Sequence, residues 1–302
     1  MSARNGRAGR ALGIGGARIA DREKMVRLVM FVCASISIFA ILLIVLFIFR
    51  DSLPAMRHLG IGKLFFSTNY NPQTGDYGML AFIWGTILTT LGALVIGAPL
   101  GIGTAVFLDQ IAPESAGRVV RRGIELLAGI PSVVIGWFGL ILLVPFLRRI
   151  TGTSGYGVFA AVLVLVVMVL PTITTLSAET LKSLPLELKE ASVAMGATRW
   201  QTIYRVLLPS AREGLLIAVI LGMGRAIGET MAVQMVIGNA RAMTFSPFGR
   251  TSTLTTRVIT DMAEASGVGR SALFAMALVL LLLAMFLIVV IRFVSRERKS
   301  TA

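Results

Sequence analysis

Long apolar runs constrain this chain more than any other feature of its sequence. Residues 28–49 contain no charged side chain, and five further apolar runs follow, at about 79–108, 126–147, 157–178, 214–240 and 271–291. A helix needs roughly 20 apolar residues to cross about 30 Å of hydrocarbon. Backbone polar groups inside a bilayer must be satisfied within the protein, which favours helices for runs of this length. The sequence therefore predicts an all-α, polytopic membrane protein with six transmembrane helices.

The composition supports this class of protein and argues against a soluble one. Hydrophobic residues make up 56% of the 302 residues and charged residues 15%, whereas soluble domains average about 45–50% apolar and about 25% charged. The net charge is +14, but no nucleic-acid-binding motif accompanies the basic residues. We expect the lipid bilayer as a partner and no nucleic acid. The one cysteine, Cys33, lies in an apolar run, which predicts no disulfide framework.

The distribution of lysine and arginine between the runs predicts the orientation of the chain. With a cytoplasmic N-terminus, the inside segments hold 19 of the 29 basic residues and the outside segments hold 9. Cytoplasmic loops of membrane proteins carry such an excess. Both termini are therefore predicted to be cytoplasmic. Residues 1–25, rich in Arg, Gly and Ala, are predicted to form a disordered basic cytoplasmic arm before a transmembrane domain at 26–302.

The longest inside segment, 179–213, has the pattern of two short amphipathic helices. A proline fits the first turn of the first helix, and Gly196 fits the position after its end. Thr198 and Gln201 form a capping-box pattern that opens the second helix, and Pro209 is expected to stop it. Such a pair can dock in a groove on another protein. The alternative is a hairpin at the membrane surface that merely joins two spans.

The same segment resembles the EAA loop of ABC-importer permeases, whose signature is E-A-A-x3-G-x9-I-x-L-P. The residues at the signature positions are Glu190, Ala191, Ser192, Gly196, Val206, Leu208 and Pro209. Ser192 replaces the second alanine and Val206 replaces the isoleucine. In that family the loop inserts into a cleft of the ATP-hydrolysing subunit, so the resemblance implies that Glu190 to Gly196 make this contact.

A G-x-x-x-x-G-K-[ST] phosphate loop is absent from the sequence. We therefore expect ATP and Mg to be bound by a separate ATPase, with no cofactor and no catalytic activity in this chain. The lone histidine, His58, lies in a predicted outside loop without a cluster of possible ligands. No metal site is predicted.

Three further stretches resemble the phosphate ABC transporter permease of the PstC type. They are FFSTNYNPQTGDYGMLAFIWGT (65–86), IELLAGIPSVVIGWFGLILLVP (124–145) and GRAIGETMAVQMVIGN (224–239). The resemblance runs from about residue 25 to the end. It implies the type I ABC-importer permease (MetI-like) architecture in a bacterial plasma (inner) membrane.

That resemblance also implies the partners of the chain. They are a second permease of the PstA type in a heterodimer, two copies of a PstB-type ATP-binding subunit, and an extracytoplasmic phosphate-binding protein of the PstS type. The function implied is a membrane-spanning subunit of an ATP-driven importer for inorganic phosphate. A permease for another oxyanion, such as sulfate or molybdate, is the alternative, and the charges alone do not exclude it.

Arg225 and Glu229 lie inside the fifth apolar run, where each charge costs roughly 2.5–3.5 kcal/mol on insertion scales. Their i, i+4 spacing predicts that they share one helix face and pair with each other. We expect them to face the bundle interior or a water-filled route. A guanidinium offers bidentate donors to phosphate oxygens, which predicts a role in the substrate pathway. A buried salt bridge between helices is the alternative.

Neutral side chains complete the predicted pathway. Thr230, Ser132 and Gln234 are candidate hydrogen-bond donors to the solute, although each can equally satisfy its own helix backbone. The apolar pattern within the outside segment 241–270 predicts a short amphipathic helix, either a gate or binding-protein contact or a plain re-entry segment.

Small residues in spans two to five indicate closely packed helices. The pairs with this spacing include Gly97 with Gly101 and Gly224 with Gly228.

Two functions of other classes are weaker. An intramembrane enzyme that uses Glu229 would need a second catalytic group or metal ligand at membrane depth, and the spans offer none. A purely structural membrane subunit would leave the predicted helix pair without a purpose.

Overall fold

The structure is a computed structural model that describes residues 8–297, with side-chain environments for residues 25–293. The chain divides into two compact units, residues 1–51 and 52–302. The first unit consists of most of α1 (Ala8–Leu59), whose apolar side chains between residues 25 and 49 are largely exposed. Residues 8–25 of the predicted arm lie within α1, and the disorder of the arm stays a prediction. Residues 1–7 of the arm lie outside the described residues.

The second unit is helical apart from one small hairpin. The hairpin pairs β1 (Tyr70–Asn71) with β2 (Asp76–Tyr77) in antiparallel register. The helices of this unit that follow α1 are α2 (Ile61–Phe66), α3 (Leu80–Val106), α4 (Glu114–Gly129), α5 (Ser132–Phe138), α6 (Val144–Thr151), α7 (Val158–Lys182), α8 (Leu186–Ala194), α9 (Arg199–Thr202), α10 (Leu208–Gly228), α11 (Met231–Val236), α12 (Leu254–Asp261) and α13 (Gly267–Glu297). Three π-helical turns continue α3, α5 and α9, at Phe107–Ile111, Gly139–Leu143 and Ile203–Leu207.

The six predicted spans are confirmed. Among the described residues, the helical runs long and apolar enough to cross a membrane are Met25–Leu59, Leu80–Ile111, Ser132–Thr151, Val158–Lys182, Arg199–Gly228 and Gly267–Phe293. Several boundaries differ from the approximate predicted ones. The third span begins at Ser132 rather than at 126, because Pro131 disfavours a helical residue before it. The fifth span ends at Gly228 rather than at 240, because the backbone of Glu229 leaves the helical conformation.

Close packing between α3 and α7 forms the centre of the second unit. A Cβ added at Gly97 or at Gly101 would lie 2.8 Å from a methyl group of α7. The predicted close approach is therefore confirmed for this pair. A Cβ added at Gly224 or Gly228 would meet no atom within 4 Å, so close packing of that pair within the chain is a wrong prediction. These two glycines lie on an exposed face of α10.

Candidate solute site and coupling surface

The fifth span is interrupted beside its two charged residues. Helix α10 ends at Gly228, Glu229 has an extended backbone with φ −72° and ψ 124°, and α11 begins at Met231. Arg225 and Glu229 therefore do not share a helix face. Their predicted pairing is wrong: within the part of the chain that the structure describes, no ion pair within 4.0 Å joins them.

Arg225 lies near the end of α10 with its side chain exposed. Its Nη1 donates a hydrogen bond to Oγ1 of Thr172 on α7 at 3.3 Å. The same face of α10 carries Gly224 and Gly228, which place no side chain beside the guanidinium. A guanidinium has five N–H donors, so most of its donor capacity faces open space in this chain.

Glu229 is half-buried and acts on its own neighbourhood. Its Oε1 accepts a hydrogen bond from the backbone N–H of Ala232 at 3.2 Å, which caps the start of α11. Its carbonyl oxygen accepts a hydrogen bond from Oγ1 of Thr255 at 3.3 Å. The hydroxyl of Thr230 donates to the carbonyl of Gly228 at 3.2 Å. Thr230 thus satisfies local backbone, which is one of the two roles expected for it.

Ser132 is the first residue of α5 and is half-buried. A Cβ added at Gly136 would lie 2.6 Å from Cα of Ala232, and one added at Gly139 would lie 3.0 Å from Val236. Because both numbers rise together, α5 and α11 run parallel. Ser132 precedes the first of these contacts by about one helical turn of α5.

Gln234 lies on α11 and contacts α12. The side-chain Nε2 of Gln234 donates to Oγ1 of Thr260 at 3.3 Å, and its backbone carbonyl oxygen accepts from Nδ2 of Asn239 at 2.8 Å. The predicted amphipathic helix within 241–270 is confirmed as α12. Sequence reasoning missed three threonine partners of the site, at 172, 255 and 260. The dense hydroxyl run TSTLTTRVIT at 251–260 was the available signal for two of them.

A second arginine, Arg257 of α12, is buried with 3% of its surface exposed. Its Nη1 pairs with Oδ1 of Asp261 at 3.2 Å. Its Nη2 donates to the carbonyl of Asn239 at 2.9 Å and to Oγ of Ser252 at 2.8 Å. The hydroxyl of Tyr70 donates to Oδ2 of Asp261 at 2.6 Å. These five residues, the Arg257 cluster, connect α12 to the hairpin and to the loop after α11.

The hydroxyl of Tyr70 stays protonated within this cluster. Burial is the largest cause that raises the pKa of Tyr70 above its ordinary value, and the hydrogen bond and charge of Asp261 raise it further. The positive charges of Arg257 and Arg241 act in the opposite direction. A protonated hydroxyl can donate to Asp261 throughout the physiological range, so the contact persists there.

The predicted helix pair is formed by α8 and α9. Gly196 follows α8 with a φ of +80°, which fits the predicted position after the helix. A Cβ added at Gly196 would meet no atom within 4 Å. The capping box is confirmed: Oγ1 of Thr198 accepts from the N–H of Gln201 at 3.3 Å, and Oε1 of Gln201 accepts from the N–H of Thr198 at 2.8 Å. Pro209 does not stop the second helix, which is a wrong prediction. The N–H of Leu208 bonds to the carbonyl of Ile203, five residues back, and this π-helical turn accommodates the proline that follows.

The residues of the EAA signature lie on an exposed surface. Glu190, Ala191 and Gly196 are exposed, whereas the hydroxyl of Ser192 lies 2.9 Å from that of Thr202 and joins α8 to α9. Leu208 is half-buried and Pro209 is exposed, both in the first turn of α10. Large apolar side chains surround this surface, with Met195 88% and Trp200 and Tyr204 each 65% exposed. We call the exposed group the coupling surface: Glu190, Ala191, Met195, Gly196, Trp200 and Tyr204.

Comparison with known proteins decides the family. Residues 97–300 match the family described as binding-protein-dependent transport system inner membrane component. The chain is also 44% identical over 280 residues to the probable ABC transporter permease protein YqgH of Bacillus subtilis (strain 168), covering 90% of this chain and 91% of that protein. This chain belongs to the binding-protein-dependent permease family. It is a membrane-spanning permease subunit of an ABC importer and a multi-pass protein of the inner membrane.

Further relatives of this permease agree with that assignment. It is 35% identical over 267 residues to the phosphate transport system permease protein PstC of Mesorhizobium japonicum, covering 82% of this chain and 81% of that protein. A solved structure of the MetNI methionine ABC transporter in an inward-facing conformation is 27% identical, with a TM-score of 0.51 over 74% of this chain and 95% of that one. A bacterial alginate ABC transporter, 14% identical with a TM-score of 0.64 over 90% of this chain and 96% of that one, matches in fold. The predicted MetI-like architecture is confirmed.

Importer permeases of this kind work with an ATPase and a substrate-binding protein. Within residues 25–293, no group of three or more His, Cys, Asp or Glu side chains is placed to hold a metal ion.

Proposed function

We propose that this permease forms, together with a second permease, the route by which inorganic phosphate crosses the inner membrane. The observation that carries the proposal is Arg225, an exposed guanidinium in an apolar span with one hydrogen bond, to Thr172, in the described part of the chain. Ionisable residues at membrane depth are costly and mark solute pathways. The PstC relatives, 32–37% identical to this chain, support phosphate as the solute.

The surroundings of Arg225 suit a passing oxyanion. Two of its neighbours on α10 are glycines that leave room beside the guanidinium. A planar guanidinium can donate two parallel hydrogen bonds to phosphate oxygens. Glu229 is held at the interruption by the N–H of Ala232 rather than by Arg225. The positive charge of Arg225 is therefore left for the solute instead of being neutralised by its own chain.

The open face of α10 needs a second wall. Leu221, Gly224, Arg225 and Gly228 are all exposed and share this face. Guanidinium donors exposed to lipid would be costly, so we assign the opposite wall to a second permease of the PstA type. An extracytoplasmic phosphate-binding protein of the PstS type delivers the solute.

The coupling surface takes the ATPase. Its exposed apolar side chains and the open space at Gly196 suit insertion into a cleft of a PstB-type subunit, of which the complex holds two copies. ATP and Mg belong to that subunit, and this chain performs no chemistry itself. The excess of basic residues in the segments on that side supports cytoplasmic termini.

Uptake of radiolabelled phosphate tests the proposal. Cells with the complete complex are compared with cells that lack this chain, with and without excess sulfate or molybdate. We expect uptake that depends on the chain and that neither competitor reduces. Uptake suppressed by sulfate or molybdate would favour the other oxyanion instead.

The Arg225→Gln variant refines this experiment. It removes the charge at the pathway, whereas Arg149→Gln removes an exposed charge at the end of α6 and serves as the matched control. We expect the first variant to abolish phosphate uptake in a fully assembled complex and the second to retain it. Undiminished uptake by Arg225→Gln would refute the assigned role.

A further inference from the structure

We propose that α12 forms the outer wall of the solute route, that Thr260 and Gln234 form a neutral polar station there, and that Arg257 is the positioning residue that holds this wall. This inference rests on the proposed function, because it names further parts of the same route. Arg257 and Thr260 belong to a segment that the sequence predicted only as a gate, a contact or a re-entry segment, whereas Gln234 was already a candidate donor.

The first step is the depth that α12 reaches. Thr255 contacts the carbonyl of Glu229, and Thr260 contacts Gln234. Both residue numbers increase by five from one contact to the next, so α11 and α12 run side by side in parallel. Residues 237–253 must therefore return to the level of the interruption before α12 begins. Helix α12 is a re-entrant segment beside the interrupted span.

The second step is the order of the polar contacts. Thr260–Gln234, Thr255–Glu229 and Thr172–Arg225 follow one another along α11 and α10. Gln234 lies on α11, Glu229 lies in the interruption, and Arg225 lies near the end of α10. An oxyanion released by one contact passes to the next.

The third step concerns accessibility and strength of binding. Thr260 is exposed and Gln234 is half-buried, so both remain accessible in this chain. Hydrogen bonds from neutral donors are weaker than those from a guanidinium. A hydroxyl and an amide can therefore receive an anion without trapping it before it reaches Arg225.

The fourth step identifies what fixes α12. Arg257 donates to Asp261 on its own helix and to Asn239 and Ser252 in the preceding loop. Tyr70 of the hairpin holds the other carboxylate oxygen of Asp261. Because Arg257 is buried, it cannot meet the solute. It acts through the position of α12, and so through Thr255 and Thr260.

Cysteine protection tests the station. Cys33 is the one cysteine of the chain, so Cys33→Ser provides a cysteine-free background. Thr260→Cys and, as the matched control, Ile259→Cys are exposed neighbours on α12. The assembled complex with its binding protein is reconstituted into proteoliposomes and treated with a charged thiosulfonate reagent, with and without inorganic phosphate. The extent of modification of this chain is measured by mass spectrometry.

We expect phosphate to slow modification at residue 260 several-fold and to leave residue 259 unaffected. An unchanged rate at 260, or equal slowing at both residues, would overturn the inference. Phosphate uptake is measured first on the same complex. A complex without phosphate uptake contradicts the proposed function, whereas uptake without protection at 260 contradicts only the present inference.

Kinetics test the positioning role of Arg257. We expect Arg257→Met to raise the KM for phosphate and to abolish protection at 260 in the complexes that assemble, and Arg257→Lys to restore part of both. Tyr70→Phe keeps the ring and removes a single hydrogen bond, so it gives a smaller rise in KM in a complex that still folds. Variants that change only the amount of assembled complex, with KM and protection intact, would show a merely structural role and contradict the proposal.

Discussion

Two arginines of the second unit differ in burial and in the number of hydrogen-bond partners that their own chain provides. Arg257 is 3% exposed and has partners from a carboxylate, a carbonyl and a hydroxyl. Arg225 is exposed and has one neutral partner, Thr172. A buried charge is tolerated only when it is paired and hydrogen-bonded. The chain itself provides the partners of Arg257, whereas further partners of Arg225 have to come from outside the chain. Arg257 therefore fixes a helix in place, and Arg225 is available to bind the solute.

The largest expected difference between the two arginines is in stability. Arg257→Met leaves the half-buried Asp261 without its ion-pair partner, and the loss is expected to approach the cost of breaking a fully buried pair, about 3–5 kcal/mol. Arg225→Met removes one hydrogen bond from an exposed group, worth about 0.5–1.5 kcal/mol. Unfolding of the two variants in detergent is compared by a thermal or denaturant melt. Equal losses of stability would erase the distinction between the two regions.

Two glycines, one next to Arg225 and one that contacts a partner of Arg257, allow the stability of the two regions to be compared. In Gly85→Ala the new methyl group would overlap the carbonyl oxygen of Ser252, a partner of Arg257, and overpacking of this kind costs about 1–3 kcal/mol. Gly224→Ala meets no atom within 4 Å and should stabilise α10 by up to about 1 kcal/mol. Melting temperatures of the two variants check these opposite signs.

A larger side chain at residue 224 tests whether filling the open face of α10 blocks uptake while the permease stays folded. Gly224→Leu places a large side chain on the open face beside Arg225, where an added Cβ meets no atom within 4 Å. We expect a folded permease whose complex has lost most of its phosphate uptake. Uptake at the level of the unmodified complex would mean that the open face is not part of the route.

A smaller effect is expected in the stability of the Arg257 cluster at alkaline pH. The pKa of Tyr70 is raised in the folded chain, mainly by burial, above the value of about 10 of an unfolded tyrosine. The folded state therefore binds this proton more tightly, and its contribution to stability is complete below about pH 10 and is lost as pH rises above that value. We expect Tyr70→Phe to reduce the loss of melting temperature between neutral and strongly alkaline pH. An identical loss in both proteins would argue against a buried, protonated Tyr70.

The smallest expected effect is at the single partner of Arg225. Thr172→Val removes one neutral hydrogen bond, worth about 0.5–1.5 kcal/mol. We expect uptake to fall only modestly, since the guanidinium itself remains. Loss of uptake as complete as in Arg225→Gln would shift the solute contact from Arg225 toward Thr172.

Much of this fold follows from local sequence features. The six spans follow from length and hydropathy, because helices in hydrocarbon satisfy their own backbone. The capping box at Thr198 and Gln201 depends on residues three apart, and the EAA signature is a contiguous pattern. Each of these features is determined within a short segment, and the spans and the capping box are predicted correctly.

The candidate site was predicted less well because it depends on distant residues. The i, i+4 spacing suggested a pair, but Glu229 instead caps α11 through Ala232, and Gly228 ends the helix between the two charges. Thr255 and Thr260 reach the site only because residues 237–253 fold back, which periodicity does not report. The π-helical turn before Pro209 likewise replaces the expected helix end with a continuous helix.

Chemical rescue of residue 225 tests the central claim most directly. In the Cys33→Ser background, Arg225→Cys is assembled with its partner subunits and treated with a positively charged or a neutral thiosulfonate reagent of similar size. We predict that the untreated variant transports no phosphate, that the positive reagent restores uptake and that the neutral reagent does not. Restoration by both reagents, or normal uptake by untreated Arg225→Cys, would contradict the claim that a positive charge at this position serves the anion.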